Sequence, residues 1–404
     1  MMYCASYIFS LLLFLYAAIN VLYLLVVAVA GRWVRPAQYA AAAEKKRIAV
    51  LITSFMEDAV ILDTVRAATQ HNYPAERFDV FLAADRLQPE TLAKLRQLPV
   101  ILHEVHFETG SKAKSLNHLL NVIDENSYEI ALILDGDNIM EEGFLDKVNA
   151  AFDAGFGAVQ GHRTAKNRNT PIALLDALSE ETNNHLFRKG QRALGFSSAT
   201  IGSGMAFRFS KLKEVYNKPG ILDNPACDRE VDFEMMKAGI VVEYLDGAHV
   251  LDEKVAGRHV YRRQRRRWLE SQLVHLRLFF SRRERVVHKT KDYWNKLFIN
   301  LIPPRLLFTA LLGAVLLIYL LQYLFHFHLL SFPLLPWLIL CGLYFIALLL
   351  SIPGAFYTFT TLAALAHLPV LLFAMLKAAT GLKPSRKEFV HTPKTFTKEN
   401  ESPK

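Results

Sequence analysis

Two terminal blocks of apolar sequence constrain this chain more than anything else in it. Residues 6–30 carry almost no charge, and they exceed the roughly 20 residues needed to cross a hydrocarbon core of about 30 Å. Residues 306–325, 329–351 and 356–376 make three further candidate spans. Their only intramembrane charges are Arg305, at the edge, and His367. Between the blocks lie roughly 250 residues of ordinary globular composition, enough for one well-cored α/β domain. The 52% hydrophobic content therefore describes a membrane protein with a soluble middle.

The first block reads as a retained anchor. A cleaved signal peptide would show a basic start, a shorter core and a small-residue cleavage site. Here no charge precedes the core, and Arg32, Arg35 and Lys45-Lys46-Arg47 follow it. Positive charge collects on the cytoplasmic side, which places the N-terminus outside and the middle domain in the cytoplasm. Four spans would then leave the C-terminus outside, yet the sequence from Lys377 onward is rich in Lys and Arg. Either one segment is re-entrant or interfacial, or the tail departs from the rule.

The net charge of +9 does not imply nucleic acid. The basic residues cluster beside the apolar segments, at 32–47, 258–289 and 377–387, a placement that fits a membrane surface and its lipids. Three cysteines, Cys4, Cys227 and Cys341, have neither metal-ligand spacing nor a disulfide framework.

Within the middle domain, short apolar runs at 48–53, 78–84 and 130–134 predict strands buried on both faces. Helical stripes lie between them: Val60, Ile61, Val65 and Ala68, then Leu116, Leu119, Leu120 and Ile123. This alternation predicts an α/β, Rossmann-like, mostly parallel sheet with helices on both faces. Such sheets bind ligands beyond the carboxyl ends of their strands, so the polar residues after each strand (53–58, Asp85, 135–138) should converge on one crevice. No G-x-G-x-x-G follows the first strand, which removes the main support for a dinucleotide site. From Arg258 the pattern becomes an amphipathic helix, with Leu269, Leu273, Leu276 and Phe280 on one face. It is expected to lie in the interface with its arginines near lipid phosphates.

Asp135-Gly136-Asp137 closes the third strand with two carboxylates, the oxygen ligands that Mg²⁺ or Mn²⁺ takes alongside substrate phosphates. The competing reading is a plain Asp-Gly turn. Asp228 precedes the helical pattern 231–238; it is either a simple N-cap or, if folded near the metal site, a general base. Gly202-Ser203-Gly204 permits close backbone approach to a ligand, and Lys112 is either a phosphate ligand or a solvated lysine. Gln264-Arg265-Arg266-Arg267-Trp268 offers guanidinium forks suited to phosphate and a flat ring on which a sugar stacks. A lipid-binding basic patch explains its arginines alone. Gln264, Arg267 and Trp268, at i, i+3 and i+4, share one helical face, which leaves Arg265 and Arg266 for lipid or solvent.

In this order and spacing the motifs resemble the membrane-integrated family 2 glycosyltransferases, whose relatives include cellulose, hyaluronan and poly-N-acetylglucosamine synthases and ceramide glucosyltransferases. The resemblance covers residues 48–268 and implies a GT-A fold. Residues 50–57 resemble the family's first-strand motif, with Thr53 and Met56 in place of the usual proline and asparagine. Glu57 and Asp85 would then sit at the nucleotide, and Lys112 near its diphosphate. Asp135 and Asp137 match the family's Asp-x-Asp metal motif, with Asp135 also at the nucleotide sugar. Gly202 and Gly204 match glycines on the acceptor side. Asp228 matches the base aspartate, with Cys227 where the family has an acid. Gln264, Arg267 and Trp268 match Gln-x-x-Arg-Trp: Arg267 at the diphosphate, Gln264 and Trp268 at the acceptor.

The implied layout is an anchor at 1–31, a cytoplasmic transferase domain at 46–257, interfacial helices at 258–300, C-terminal spans at 301–380 and a polar tail at 381–404. The implied activity is inverting transfer from a nucleotide sugar, UDP by family habit, assisted by Mg²⁺ or Mn²⁺, at a bacterial inner membrane. A growing polysaccharide is the leading acceptor; single addition to a lipid, as in ceramide glucosyltransferases, is the alternative. A non-catalytic membrane scaffold is a third reading, opposed by the intact Asp135, Asp137, Asp228 and Trp268.

Overall fold

The computed structural model describes residues 2–380 apart from 109, 223, 225 and 281–289, together with 382, 394 and 396. Eight strands form one sheet: β1 Ile48–Phe55, β2 Phe78–Asp85, β3 Ile101–Val105, β4 Ile130–Asp135, β5 Ile139–Met140, β6 Ala158–Ala165, β7 Met205–Arg208 and β8 Val242–Asp252, in the order β3-β2-β1-β4-β7-β6-β8-β5. The first half is parallel throughout: β1 pairs with β2 and β4, and β2 with β3. The second half is mixed, since β7 runs antiparallel to both β4 and β6 while β6 and β8 are parallel. The expected parallel sheet therefore holds for the half nearest the N-terminus, and a mixed sheet replaces it beyond β4.

Alternation along β1 builds two cores. Ile48, Val50 and Ile52 pack with Ile61, Val65, Phe144 and Val148 on one face. Ala49 and Leu51 meet Leu116, Leu119, Leu120 and Phe209 on the other. Period-two side chains on a strand reach opposite faces, so one apolar run supports both layers.

Among the described residues, four helices are long and apolar enough to span a bilayer: Tyr3–Trp33, Arg305–Phe325, Leu334–Ser351 and Phe359–Ala379. The last is broken by a tight turn at Leu365–His367, just before Pro369. Their inward faces share a core around Trp337, Leu24, Val27 and Phe308. Leu317, Leu320, Phe345 and Phe373 remain exposed, the contiguous apolar surface expected of lipid-facing helices. Gly190 lets the sheet-bearing part of the chain dock on the first helix, because a Cβ there would collide with the Val27 carbonyl and side chain.

Candidate active site

A cavity of about 530 Å³ lies beyond the carboxyl ends of β1 and β4, within the range of small-ligand sites. Its floor is Glu57, Asp135, Gly136, Asp137 and Asp252. Gly136 is required here, since a Cβ would run into Glu57 Oε2. Burial, reinforced by Asp137 and Asp135, pushes the Glu57 carboxyl up to about 8. Burial also raises Asp137, which is only 3% exposed. A concentration of carboxylates that cannot all ionise unaided is a site with a demand for cations.

Two lysines meet that demand. Lys112, at the start of the helix Lys112–Val122, bridges Asp135 and the Gly202 carbonyl, donating to the latter at 2.6 Å. Burial disfavours its charge, but Asp135 outweighs this and holds it up. Lys394 donates to Asp137 Oδ2 at 2.7 Å and to the Glu253 carbonyl at 3.0 Å, and stands 3.5 Å from Asp252 Oδ1. Asp137 Oδ2 also accepts the Glu253 N–H at 3.3 Å. Asp135 and Asp137 carry the hard oxygens that Mg²⁺ or Mn²⁺ takes and would be the residues to hold an ion, but among the described residues no three His, Cys, Asp or Glu side chains are grouped to hold one. Neither Lys394 nor Asp252 was expected from sequence. Asp252 had a signal, because it closes β8 as Asp135 closes β4; Lys394 lies in the tail and had none.

Asp228 lies in the first turn of the helix Cys227–Lys237, whose N-cap is Ala226. It is therefore not a capping residue, and it lines the cavity. Its backbone carbonyl accepts from Thr200 Oγ1 at 2.9 Å, and its Oδ2 would lie 3.6 Å from a Cβ on Gly202. Burial lifts the neighbouring Cys227 thiol to about 11, so it stays protonated beside Lys112.

The helix Arg258–Phe279 turns its polar face into the cavity through Gln264, Arg267, Trp268, Ser271 and His275. Burial lowers Arg267, while Asp228 and Asp135 favour its charge. Among the described residues no donor reaches Gln264 Oε1, which is buried and unpartnered. Arg265 corrects the expectation of a lipid-facing residue. It is 5% exposed, ion-paired with Asp176, and its guanidinium sits 4.0 Å from the Trp268 ring centroid and 4.6 Å from that of Tyr261. Arg266 instead pairs along the helix with Glu270 at 3.1 Å.

The remaining expected residues divide. Gly202, at φ 87°, lines the cavity. Gly204, at φ 63°, lies beneath it, where a Cβ would strike Val250, and its carbonyl accepts the Gly161 N–H at 2.7 Å. Ser203 between them accepts the Asp135 N–H at 3.0 Å. Asp85 is buried at the end of β2, outside the cavity wall, with Arg86 Nε at 4.0 Å. Burial raises its carboxyl, opposed by Arg86 and the Phe107 backbone N–H. It pairs in register with Phe55, which does line the cavity and whose ring lies flat on Gly110.

The far wall is a chain of ion pairs. Arg163 bonds Glu180 at 2.6 Å and the Ile201 carbonyl at 3.0 Å, and Lys254 bonds Asp252 at 2.6 Å. At its end the cavity touches Pro303, Pro304, Arg305, Leu306 and Met375, where the spans begin and finish.

Residues 46–271 match the family described as glycosyltransferase-like family 2, and the chain belongs to that family. It is an enzyme, a glycosyltransferase with a GT-A fold. Among solved structures it is similar to a mannosyltransferase, PcManGT from Pyrobaculum calidifontis, in complex with GDP-Man and Mn²⁺, at 17% identity and a TM-score of 0.53, over 93% of this chain and 99% of that one. It also matches S. aureus TarS residues 1–349 in complex with UDP-GlcNAc, at 12% identity and a TM-score of 0.43, over 83% and 92%. No curated protein matches the chain.

Proposed function

We propose that this protein is an inverting, nucleotide-sugar-dependent glycosyltransferase working where the cytoplasmic face of a membrane meets its catalytic domain. One observation carries the reading: Asp137, Asp228, Arg267 and Trp268, from three separate elements, line a single cavity. In this reading Asp228 takes the proton from an acceptor hydroxyl. The oxygen attacks the anomeric carbon from the face opposite the nucleotide, and Arg267 and Lys112 stabilise charge developing on the departing diphosphate. A divalent ion held by Asp135 and Asp137 would supply further Lewis-acid stabilisation there. Trp268 provides the sugar platform, and Gln264 Oε1 an acceptor for an incoming hydroxyl. Phe55 would bound the nucleoside, and Asp85, its register partner, would act from behind the cavity wall. UDP is favoured by the sequence resemblance, while PcManGT carries GDP-Man and so makes a guanine donor worth testing. The deciding experiment is metal-dependent turnover of a panel of UDP- and GDP-sugars by purified protein, with product length read on a gel. No turnover of any donor would sink the reading.

A growing polysaccharide is the acceptor that the resemblance implies. Addition to a lipid-linked acceptor is favoured by one observation: among the described residues, the spans contribute only Arg305, Leu306 and Met375 to the cavity.

A further inference from the structure

The acceptor end of the cavity carries an unbalanced charge at the bilayer boundary. Arg305 opens the first C-terminal span and donates through Nη2 to the Ser179 carbonyl at 2.6 Å and to Ser179 Oγ at 3.2 Å. Both acceptors are neutral, and among the described residues no carboxylate pairs with Arg305. Of the acids on this wall, Asp176 is held by Arg265 and Glu180 by Arg163 and Lys254, and Arg265 lies close enough to Arg305 to repel it. Arg305 thus faces acids that already have cationic partners. An uncompensated guanidinium at membrane depth is costly, and its planar fork matches phosphate oxygens. Directly beyond it the wall turns apolar at Leu306 and Met375. The spans pack on one another around Trp337, and among the described residues they give the cavity only Arg305, Leu306 and Met375. A cationic seat followed by bilayer suits an amphiphile with a phosphate head.

Resting on the reading above, we propose that the acceptor is a phosphate-linked lipid glycoside. Its phosphate sits at Arg305, its sugar lies between Trp268 and Asp228, and its chain enters the bilayer beside Leu306 and Met375. The sugar hydroxyl gives its proton to Asp228 and forms the new bond to the anomeric carbon. The bond from that carbon to the nucleoside diphosphate breaks, and the leaving group takes the electron pair. The lipid phosphate is a spectator, and no bond to phosphorus changes.

The test uses the full chain in phosphatidylcholine nanodiscs with radiolabelled nucleotide sugar. Three acceptors are compared: farnesyl-diphosphate-linked N-acetylglucosamine, uncharged octyl N-acetylglucosaminide, and farnesyl phosphate. The charged glycoside should exceed the octyl glycoside in kcat/KM by about tenfold or more, the scale of one charge-assisted hydrogen bond. Equal use of the two would overturn the proposal. So would direct glycosylation of farnesyl phosphate, because the phosphate would then be the nucleophile. Arg305→Gln should shrink the ratio between the two glycosides toward one. That ratio is taken within one variant, so partial loss of folded protein cancels; an unchanged ratio counts against Arg305. Introducing phosphatidylglycerol should leave the preference intact. If it erases the preference, Arg305 serves bulk headgroups and the proposal falls. Donor hydrolysis without acceptor preference defeats the acceptor proposal alone, whereas absence of donor binding defeats the transferase reading as well.

Discussion

The two walls of the cavity are held by different means. On the donor wall, Glu57, Asp135 and Asp137 are placed by backbone, at the ends of β1 and β4 paired in register from Ile48 and Ile130 to Thr53 and Asp135. On the acceptor wall, Asp176, Glu180, Arg265 and Lys254 come from helices and a loop and are placed by one another, as buried ion pairs. A backbone-placed group tolerates loss of its neighbours. A mutually placed group does not, because removing one partner strands a buried charge. Donor-wall substitutions should therefore damage chemistry with little cost in folding, and acceptor-wall substitutions should damage both.

The largest expected effect tests the junction of the walls. Asp228→Asn should lower kcat for transfer by about a thousandfold or more, the upper range for loss of a general base, with donor affinity by calorimetry nearly unchanged. Turnover within tenfold of wild type would show that Asp228 is not the base. Next comes the donor wall alone. Asp137→Asn should remove about a hundredfold of EDTA-sensitive donor turnover, since a bound ion contributes several kcal/mol. Its thermal unfolding midpoint should fall less than that of an acceptor-wall variant, because Lys394 loses Asp137 but keeps the Glu253 carbonyl and Asp252. Full EDTA-sensitive turnover in this variant would place the ion elsewhere.

The same contrast explains what the sequence disclosed. Period-two burial and an acid at a strand end are local patterns, so β1, β2, β4 and the Asp135-Asp137 pair were legible; the helix expected at 231–238 begins earlier, at Cys227, and takes Asp228 into its first turn. The antiparallel insertion of β7 was not, because nothing local to Met205–Arg208 states which strand will receive it. In the sequence Arg265 is left for lipid or solvent, because an arginine cluster beside a span ordinarily faces one or the other. Its true partner, Asp176, is 89 positions away and has no periodic signature. Lys394 is illegible for the same reason at greater distance, 257 positions from Asp137.

On the acceptor wall, Trp268→Ala should raise acceptor KM by about tenfold, the scale of one lost ring-stacking contact, with donor hydrolysis preserved. Arg265→Ala should move the same KM, because the guanidinium lies over the Trp268 ring. It should also cost about 3 kcal/mol in stability by leaving Asp176 buried and unpaired. The double variant Arg265→Met, Asp176→Leu should recover stability but not KM. If Arg265→Ala leaves the unfolding midpoint untouched, this wall is not held by its ion pairs.

The smallest effect concerns how the acceptor-wall helix Pro171–Asn184 is fastened to the sheet. His162, on β6 at its register shift, lies 2.8 Å from Glu181 on that helix and 3.2 Å from Asp246 on β8, while Lys189 bonds Asp246 at 2.8 Å and Tyr244 Oη lies 2.9 Å from His162 Nδ1. Burial opposes the imidazolium, but the hydrogen bonds to Asp246 and Glu181 outweigh it and lift the ring to about 9. A raised folded-state value means that the stabilisation is complete below the unfolded value of about 6.5 and is lost as pH rises through 9. Wild-type stability should therefore fall by about 1–3 kcal/mol between pH 6.5 and 9.5 from this group, read as a thermal shift against pH. His162→Gln should start lower and show a flatter profile. An unchanged slope in His162→Gln would mean that the helix is fastened by Arg163 and Glu180 with the Thr164–Glu181 and Asn184–Arg163 hydrogen bonds, and the acceptor wall would then depend on one ion-pair chain rather than two.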